Sequence, residues 1–415
     1  MSGVFRGRPL WVRLHRYAGL ATALFLLLAG LSGALLAFNH ELDAALNPAM
    51  LRVTPQARPA LAPGELIRRV EAQLPAAQVR FIALNAAPDE AVRLRVATLA
   101  RGNGKPEPLG FDEVFADPYN GRVLGQRQWG APRLDRAHLL PFVYKLHRSL
   151  YLPDKWGVWL LGGVALIWLP ACLIGLYLTL PKGRPLLRKW WPAWRVKAGA
   201  SGYRLNFDLH RAGGLWLWGV LLPIAMSGVY FNLKHELFRP VVSLFGTLTP
   251  EPEQLLPKRK PPPQARLTPD QALQCALTLL PPQAADLRPA FLMWQPERGV
   301  YRVGFEQARR GEAFRLRFEQ VYLDAASGEL KARRGYDSGT RADAFLAWQF
   351  PLHSGRMFGL PGRLLVCLAG LATAMLALTG IVIWLKKRSA QARSRRRAIA
   401  ARATDSLVAA TAAAE

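Results

Sequence analysis

Four stretches of the chain carry no Asp, Glu, Lys or Arg: Tyr17 to Phe38, Trp156 to Leu180, Ala212 to Leu233, and Leu364 to Leu385. About 20 apolar residues, rising 1.5 Å each, cross a hydrocarbon layer of ~30 Å, and a buried helix of a soluble protein seldom stays uncharged for so long. The pattern predicts four transmembrane helices. Within each pair of helices lies a polar segment of roughly a hundred residues, larger than a simple loop and therefore a folded domain. In the first, Leu61 to Leu74 has helical periodicity, Val79 to Leu84 and Ala91 to Ala97 read as strands, and Glu113 to Val123 ends in a turn at Asp117, Pro118, Asn120 and Gly121. In the second, Thr268 to Leu280 reads as a helix, with strands at Ala290 to Trp294, Val300 to Glu306 and Phe314 to Asp324. Each is expected to be a small α+β module, one helix over a three-stranded sheet. Pro257 to Pro263 reads as an extended linker into the second.

The halves repeat. Leu14, His15, Arg16 and Gly19 match Leu209, His210, Arg211 and Gly214 at identical spacing. Ser32-Gly33 and Ser227-Gly228 follow 17 residues after each His, and His-Glu-Leu recurs at His40 and His235. Leu146-His147 precedes the second apolar run as Leu352-His353 precedes the fourth, with Gly175 and Gly380 near the far ends. The expected fold is an α-helical membrane protein with four transmembrane helices in two pseudo-symmetric halves, each with an α+β domain inserted between its helices. Along the chain this gives residues 1–43 (N-terminus and first span, about 17–38), 44–145 (first outer domain), 146–180 (second span with its His segment) and 181–211 (basic loop). Residues 212–238 (third span), 239–350 (second outer domain), 351–385 (fourth span with its His segment) and 386–415 (basic tail) complete it.

Charge orients this arrangement. Residues 1–16, 181–211 and 386–415 together hold 20 basic residues against three acidic ones, or +17 of the net +27. By the positive-inside rule these three segments share the cytoplasmic side, so the chain is expected to be a multi-pass protein of a bacterial inner membrane with both termini cytoplasmic. Basic residues gathered at membrane ends leave no need for a nucleic-acid partner. The first apolar run is longer than the core of a secretory leader and recurs later, so it reads as a retained helix. Cys172, Cys275 and Cys367 supply neither a disulfide framework nor a Cys-x-x-Cys-His haem attachment site.

His-Arg-x-x-Gly entering a helix with Ser-Gly deeper in it, together with outer domains ending Val-x-x-Asp-Pro-x-x-Gly-x-Val or Val-x-Leu-Asp-x-x-x-Gly-x-Leu, resembles the PepSY-associated transmembrane proteins over nearly the whole chain. The resemblance implies PepSY-like periplasmic domains and an iron-regulated inner-membrane protein, of a group that includes haem-binding ferrisiderophore reductases.

The histidines are placed to suit that implication. His15 and His40 stand 25 residues apart, close to seven turns, so on one continuous helix they would share a face at opposite membrane surfaces; His210 and His235 repeat the spacing. Imidazole suits iron, and a b-type haem held between two helices takes one axial His from each. His15 with His210 is the natural cytoplasmic-side pair. On the outer side His147 with His353, His40 with His235, or one pair within each half are all conceivable. Arg16 and Arg211 suit haem propionates or anchor the cytoplasmic membrane face. Gly19, Gly33, Gly214, Gly228, Gly175 and Gly380 suit close helix packing or room for a macrocycle. His138 has no counterpart in the second half and reads as structural.

The function expected is an electron-transfer protein with two or more bis-His haem b groups that reduces ferric siderophores or other ferric chelates at the periplasmic side. No cytoplasmic segment is long enough for a nicotinamide or flavin domain, so quinol or a separate cytoplasmic reductase would be the donor. The rivals are a non-enzymatic membrane protein binding a periplasmic peptide or partner, and an iron or siderophore transporter. Membrane lipid surrounds the protein in either case, and a homodimer would enlarge the bundle.

Overall fold

The computed structural model describes residues 7–99, 108–153, 155–260, 263–307, 317–336 and 338–412. The start of the strand expected from Phe314, the two prolines at 261 and 262, and Arg6 of the basic N-terminal segment lie outside these residues. In chain order the elements that matter here begin with helices α1 (Arg8–Leu36), α2 (Asn39–Leu46) and α3 (Pro63–Gln73). Strands β1 (Ala77–Ala83), β2 (Val92–Thr98), β3 (Glu113–Ala116) and β4 (Val123–Arg127) follow, then α4 (Leu139–Ser149), α5 (Trp156–Thr179) and α6 (Gly202–Asn232). The second half holds α7 (Pro269–Thr278), β5 (Arg288–Gln295), β6 (Val300–Glu306), β7 (Phe318–Asp324), β8 (Leu330–Gly335), α8 (Arg341–Ser354) and α9 (Gly359–Ala412). The chain divides into two compact units, one of Met1–Ala34, Val158–Asn232 and Val366–Glu415, the other of Leu35–Gly157 and Leu233–Leu365.

In the first unit α1, α5, α6 and α9 are each long and apolar enough to cross a membrane. A helix satisfies its own backbone, the one solution besides a closed barrel that hydrocarbon permits. Small residues bring α1 and α9 into contact: a Cβ on Gly30 would stand 2.5 Å from the Gly370 carbonyl oxygen, and one on Gly370 would stand 2.6 Å from that of Gly30. Only glycine allows two backbones so close. Arg8 closes one helix end, its guanidinium donating to the Leu178 and Leu180 carbonyls at 2.6 and 3.1 Å, where the last turn of α5 lacks intrahelical donors.

The second unit corrects the expectation of two three-stranded sheets. Its strands form one antiparallel sheet in the order β4-β3-β2-β1-β5-β6-β7-β8. β1 and β5 join the modules through Phe81 opposite Met293, Ile82 opposite Leu292 and Ala83 opposite Phe291. β4 and β8 were not foreseen. Arg122 closes the expected turn in front of β4, and Lys331, Arg333 and Arg334 break the apolar alternation in β8. Both are edge strands, and edges are where charge guards against pairing with another chain. α3 and α7 bury Leu66, Val70, Ala272 and Ala276 in a core shared with Ile82, Leu94, Leu292 and Val303. Thr268 caps α7 as expected, with Gln271 closing the reciprocal capping box.

The Gly30–Gly370 crossing yields a direct check. Gly370→Leu should lower the thermal midpoint of the purified protein, since overpacking costs ~1–3 kcal/mol and here the obstacle is backbone. Gly19→Ala, where a Cβ meets nothing within 4 Å, should leave it unchanged. Equal midpoints for the two variants would rule out the close crossing.

Candidate cofactor site

The repeated motif that enters α1 and α6 converges on one cavity. His15, about two turns into α1, and His210, in the first half of α6, face each other with ring centroids 6.3 Å apart and planes at 71°. Each ring is tied to a neighbouring helix through Nδ1: His15 lies 3.2 Å from the Ala171 carbonyl oxygen of α5, and His210 lies 3.0 Å from the Thr379 hydroxyl of α9. The Thr379 hydroxyl donates to the Met375 carbonyl at 2.7 Å, so it accepts from His210. An Nδ1–H that donates leaves Nε2 with a lone pair, the arrangement in which an imidazole binds a metal. Gly175 and Gly380 exist for these rings. A Cβ at Gly175 would press on His15 Cε1 at 3.1 Å, and one at Gly380 on His210 Cε1 at 3.3 Å.

The cavity at this pair measures about 320 Å³, at the lower end of the range for ligand pockets. Arg16, Gly19, Arg211, Gly214, Trp218 and Lys387 are among the residues that line it. The two arginines that sequence repetition makes equivalent differ here. Arg211 is held by Asp208 at 2.8 Å and by the Ala193 and Pro192 carbonyls, so it pins the basic loop against α6. Arg16 makes no such contact among the described residues. Trp218 donates to the Cys172 carbonyl at 3.0 Å, which fixes an aromatic wall.

A second imidazole pair lies in the other unit. His147 in the last turn of α4 and His353 in the last turn of α8 have centroids 6.2 Å apart and planes at 64°. Leu150 (φ 51°) and Tyr151 (φ 58°) end α4, and Gly355 (φ 70°) ends α8, so each His sits just ahead of a left-handed stop. Of the outer pairings open from the sequence, this is the one whose rings come together.

His40 and His235 are placed differently. α1 ends at Leu36 and α6 at Asn232; His40 belongs to α2, and His235 to a π-helical turn, Lys234–Phe238. The seven-turn count assumed a continuous helix, and the breaks cancel it. His40 Nε2 lies 2.8 Å from Glu90, and His235 Nε2 lies 3.8 Å from Glu251, with both side chains more than half exposed. His138 is buried and bonded to Asp135 at 2.7 Å, in keeping with a structural role.

An iron macrocycle held between two helices would take one imidazole from each, and both observed pairs would offer that, with ring centroids 6.3 and 6.2 Å apart. A donor set of two imidazoles suits a macrocycle that supplies its own four nitrogens. Among the described residues no group of three or more His, Cys, Asp or Glu gathers to form an all-protein metal cage.

Four helices able to span a membrane, joined to an antiparallel sheet unit, define a multi-pass membrane protein. The family model for the PepSY-associated TM region matches residues 12–387, and the chain belongs to that family. Comparison with curated protein sequences gives no match.

The Glu251 cluster around His235 carries a pH signature. Burial alone would raise this carboxyl, but Lys234, Arg239 and His235 together hold it below its ordinary value. A depressed carboxylate contributes its stabilisation in full above the unfolded pKa of about 4.3 and loses it as pH falls through the lower folded value. The thermal midpoint of the wild type should therefore drop more between about pH 5 and about pH 3 than that of Glu251→Gln. Parallel curves would refute the assignment.

Proposed function

We propose that this protein is a haem-containing electron-transfer protein of the bacterial inner membrane that reduces ferric siderophores or other ferric chelates on the periplasmic side. The observation that supports it most is the pair of imidazole separations, 6.3 Å for His15 with His210 and 6.2 Å for His147 with His353. On this reading the chain is built as two pseudo-symmetric halves, each giving one ligand to each pair, with the basic segments and both termini in the cytoplasm.

Haem b, when bound, supplies reversible one-electron chemistry. The residues of the chain do the rest. The Ala171 carbonyl and the Thr379 hydroxyl hold Nδ1–H of His15 and His210, which fixes the rings and raises their basicity at Nε2. Trp218 and the apolar walls of α1, α5, α6 and α9 keep water from the ligated nitrogens. Arg16 is the residue to meet a propionate, a fork that suits a carboxylate, because Arg211 is committed to Asp208 and the loop. His40 and His235 serve the outer unit through their glutamates and drop out as ligands. A haem held by His15 and His210 would take its electrons from quinol or a separate reductase, and one held by His147 and His353 would pass them to a ferric chelate.

Spectra decide the matter. Protein expressed with adequate haem should show low-spin b-type bands after dithionite reduction. His15→Ala with His210→Ala, and separately His147→Ala with His353→Ala, should each remove roughly half of the absorbance, as each pair would hold one of two haems. His40→Ala with His235→Ala should leave the bands intact. A wild type without haem bands sinks the redox reading and leaves a membrane protein whose outer modules bind a peptide or partner.

A further inference from the structure

The seam between the two modules holds a second cavity, independent of the imidazole pairs. β1 and β5 pair over only three positions, ending at Phe81 opposite Met293. Beyond that point, among the described residues, the strands form no further pairs with each other, and a space of about 290 Å³ opens under α3 and the start of α7.

Three observations give this space a chemistry. The first is Arg80, the extra residue of a β-bulge: Val79 pairs with Val96 and Phe81 with Arg95, so Arg80 is skipped in the register with β2. Bulges re-aim side chains, and they collect beside functional sites. Arg80 lines the cavity, and its Nη1 is buried with no hydrogen-bond partner among the described residues. A buried donor left open costs ~1–3 kcal/mol, more when charged, which a bound acceptor would recover. The second is the Trp294–Tyr301 pair, with centroids 5.0 Å apart and planes at 38°, which forms an apolar aromatic wall. Tyr301 is locked in place by donating its hydroxyl hydrogen to the Leu267 carbonyl at 3.2 Å. The third is Glu71, whose Oε1 accepts from the Val79 amide at 2.8 Å. Glu297, the stronger of the two, and Glu71 both add negative charge near Arg80, and neither reaches it as an ion pair among the described residues.

We propose that this cavity binds a small aromatic organic acid, with Arg80 meeting the carboxylate and the Trp294–Tyr301 pair flanking the ring. A space of this size exceeds what an inorganic anion fills, and the aromatic wall gives such an anion nothing.

Calorimetric titration of the full chain in lipid nanodiscs tests this, with 3-phenylpropionate, its uncharged amide and inorganic phosphate as probes. 3-Phenylpropionate should bind saturably, and the amide and phosphate should not. Arg80→Gln should weaken binding about ten- to hundredfold, the value of a charged hydrogen bond. Glu71→Gln, which keeps an acceptor for the Val79 amide and removes the opposing charge, should tighten it. That opposite sign separates a lost contact from a damaged fold. Equal affinity for acid and amide, tighter binding of phosphate than of the acid, or no change in either variant would overturn the proposal. The haem spectrum takes no part in the readout, so this test and that of the redox reading fail separately.

Discussion

A ring nitrogen packed between helices must place its proton somewhere, and here both imidazoles at the head of the repeated spans place theirs on a neighbouring helix. The bonds from His15 to the Ala171 carbonyl and from His210 to the Thr379 hydroxyl each cross a helix–helix boundary. They fix two rings face to edge and tie α1 to α5 and α6 to α9. The glycines follow from them: Gly175 and Gly380 lie where any larger residue would meet an imidazole carbon. The cavity follows too, since two rings held apart cannot collapse on each other to fill it.

The sheet unit answers a different constraint. A three- or four-stranded module with one exposed edge on each side invites association. Here β1 of one module and β5 of the other cover each other's edge, so the free edges fall on β4 and on β8, the latter carrying Lys331, Arg333 and Arg334. The joint is short, three residue pairs long, and the separation of the strands beyond it leaves the space that Arg80 enters. A sheet made by fusing two modules thus has its least regular point at its centre.

Repetition in sequence did not produce equivalence in structure at every position. Arg16 and Arg211 occupy matching places in the motif, yet Asp208 captures only Arg211, because an acid stands three residues before it and Arg13 stands at the matching place before Arg16. His40 and His235 match as well, and both lie past a helix break, beside a glutamate from elsewhere in the sheet unit.

Much was legible from residues alone. The four spans, the basic segments beside them, the two module helices, with the start of the second at Thr268, and most of the strands followed from period and composition, because lipid and the capping of a helix act on local sequence. So did the pairing of His15 with His210, which the repeat made natural. Other features needed the folded chain. Nothing local says that β1 finds β5, that weakly patterned β4 and β8 complete the sheet, or that His147 rather than His40 meets its counterpart. The β1–β5 joint and the His147–His353 pair bring together residues about two hundred positions apart, whereas β4 and β8 pair with the strands just before them and fail to be legible because their alternation is weak. Sequence determined which segments enter the membrane and which residue types they carry; tertiary packing decided which imidazoles face each other, since facing is a property of two segments and is written in neither.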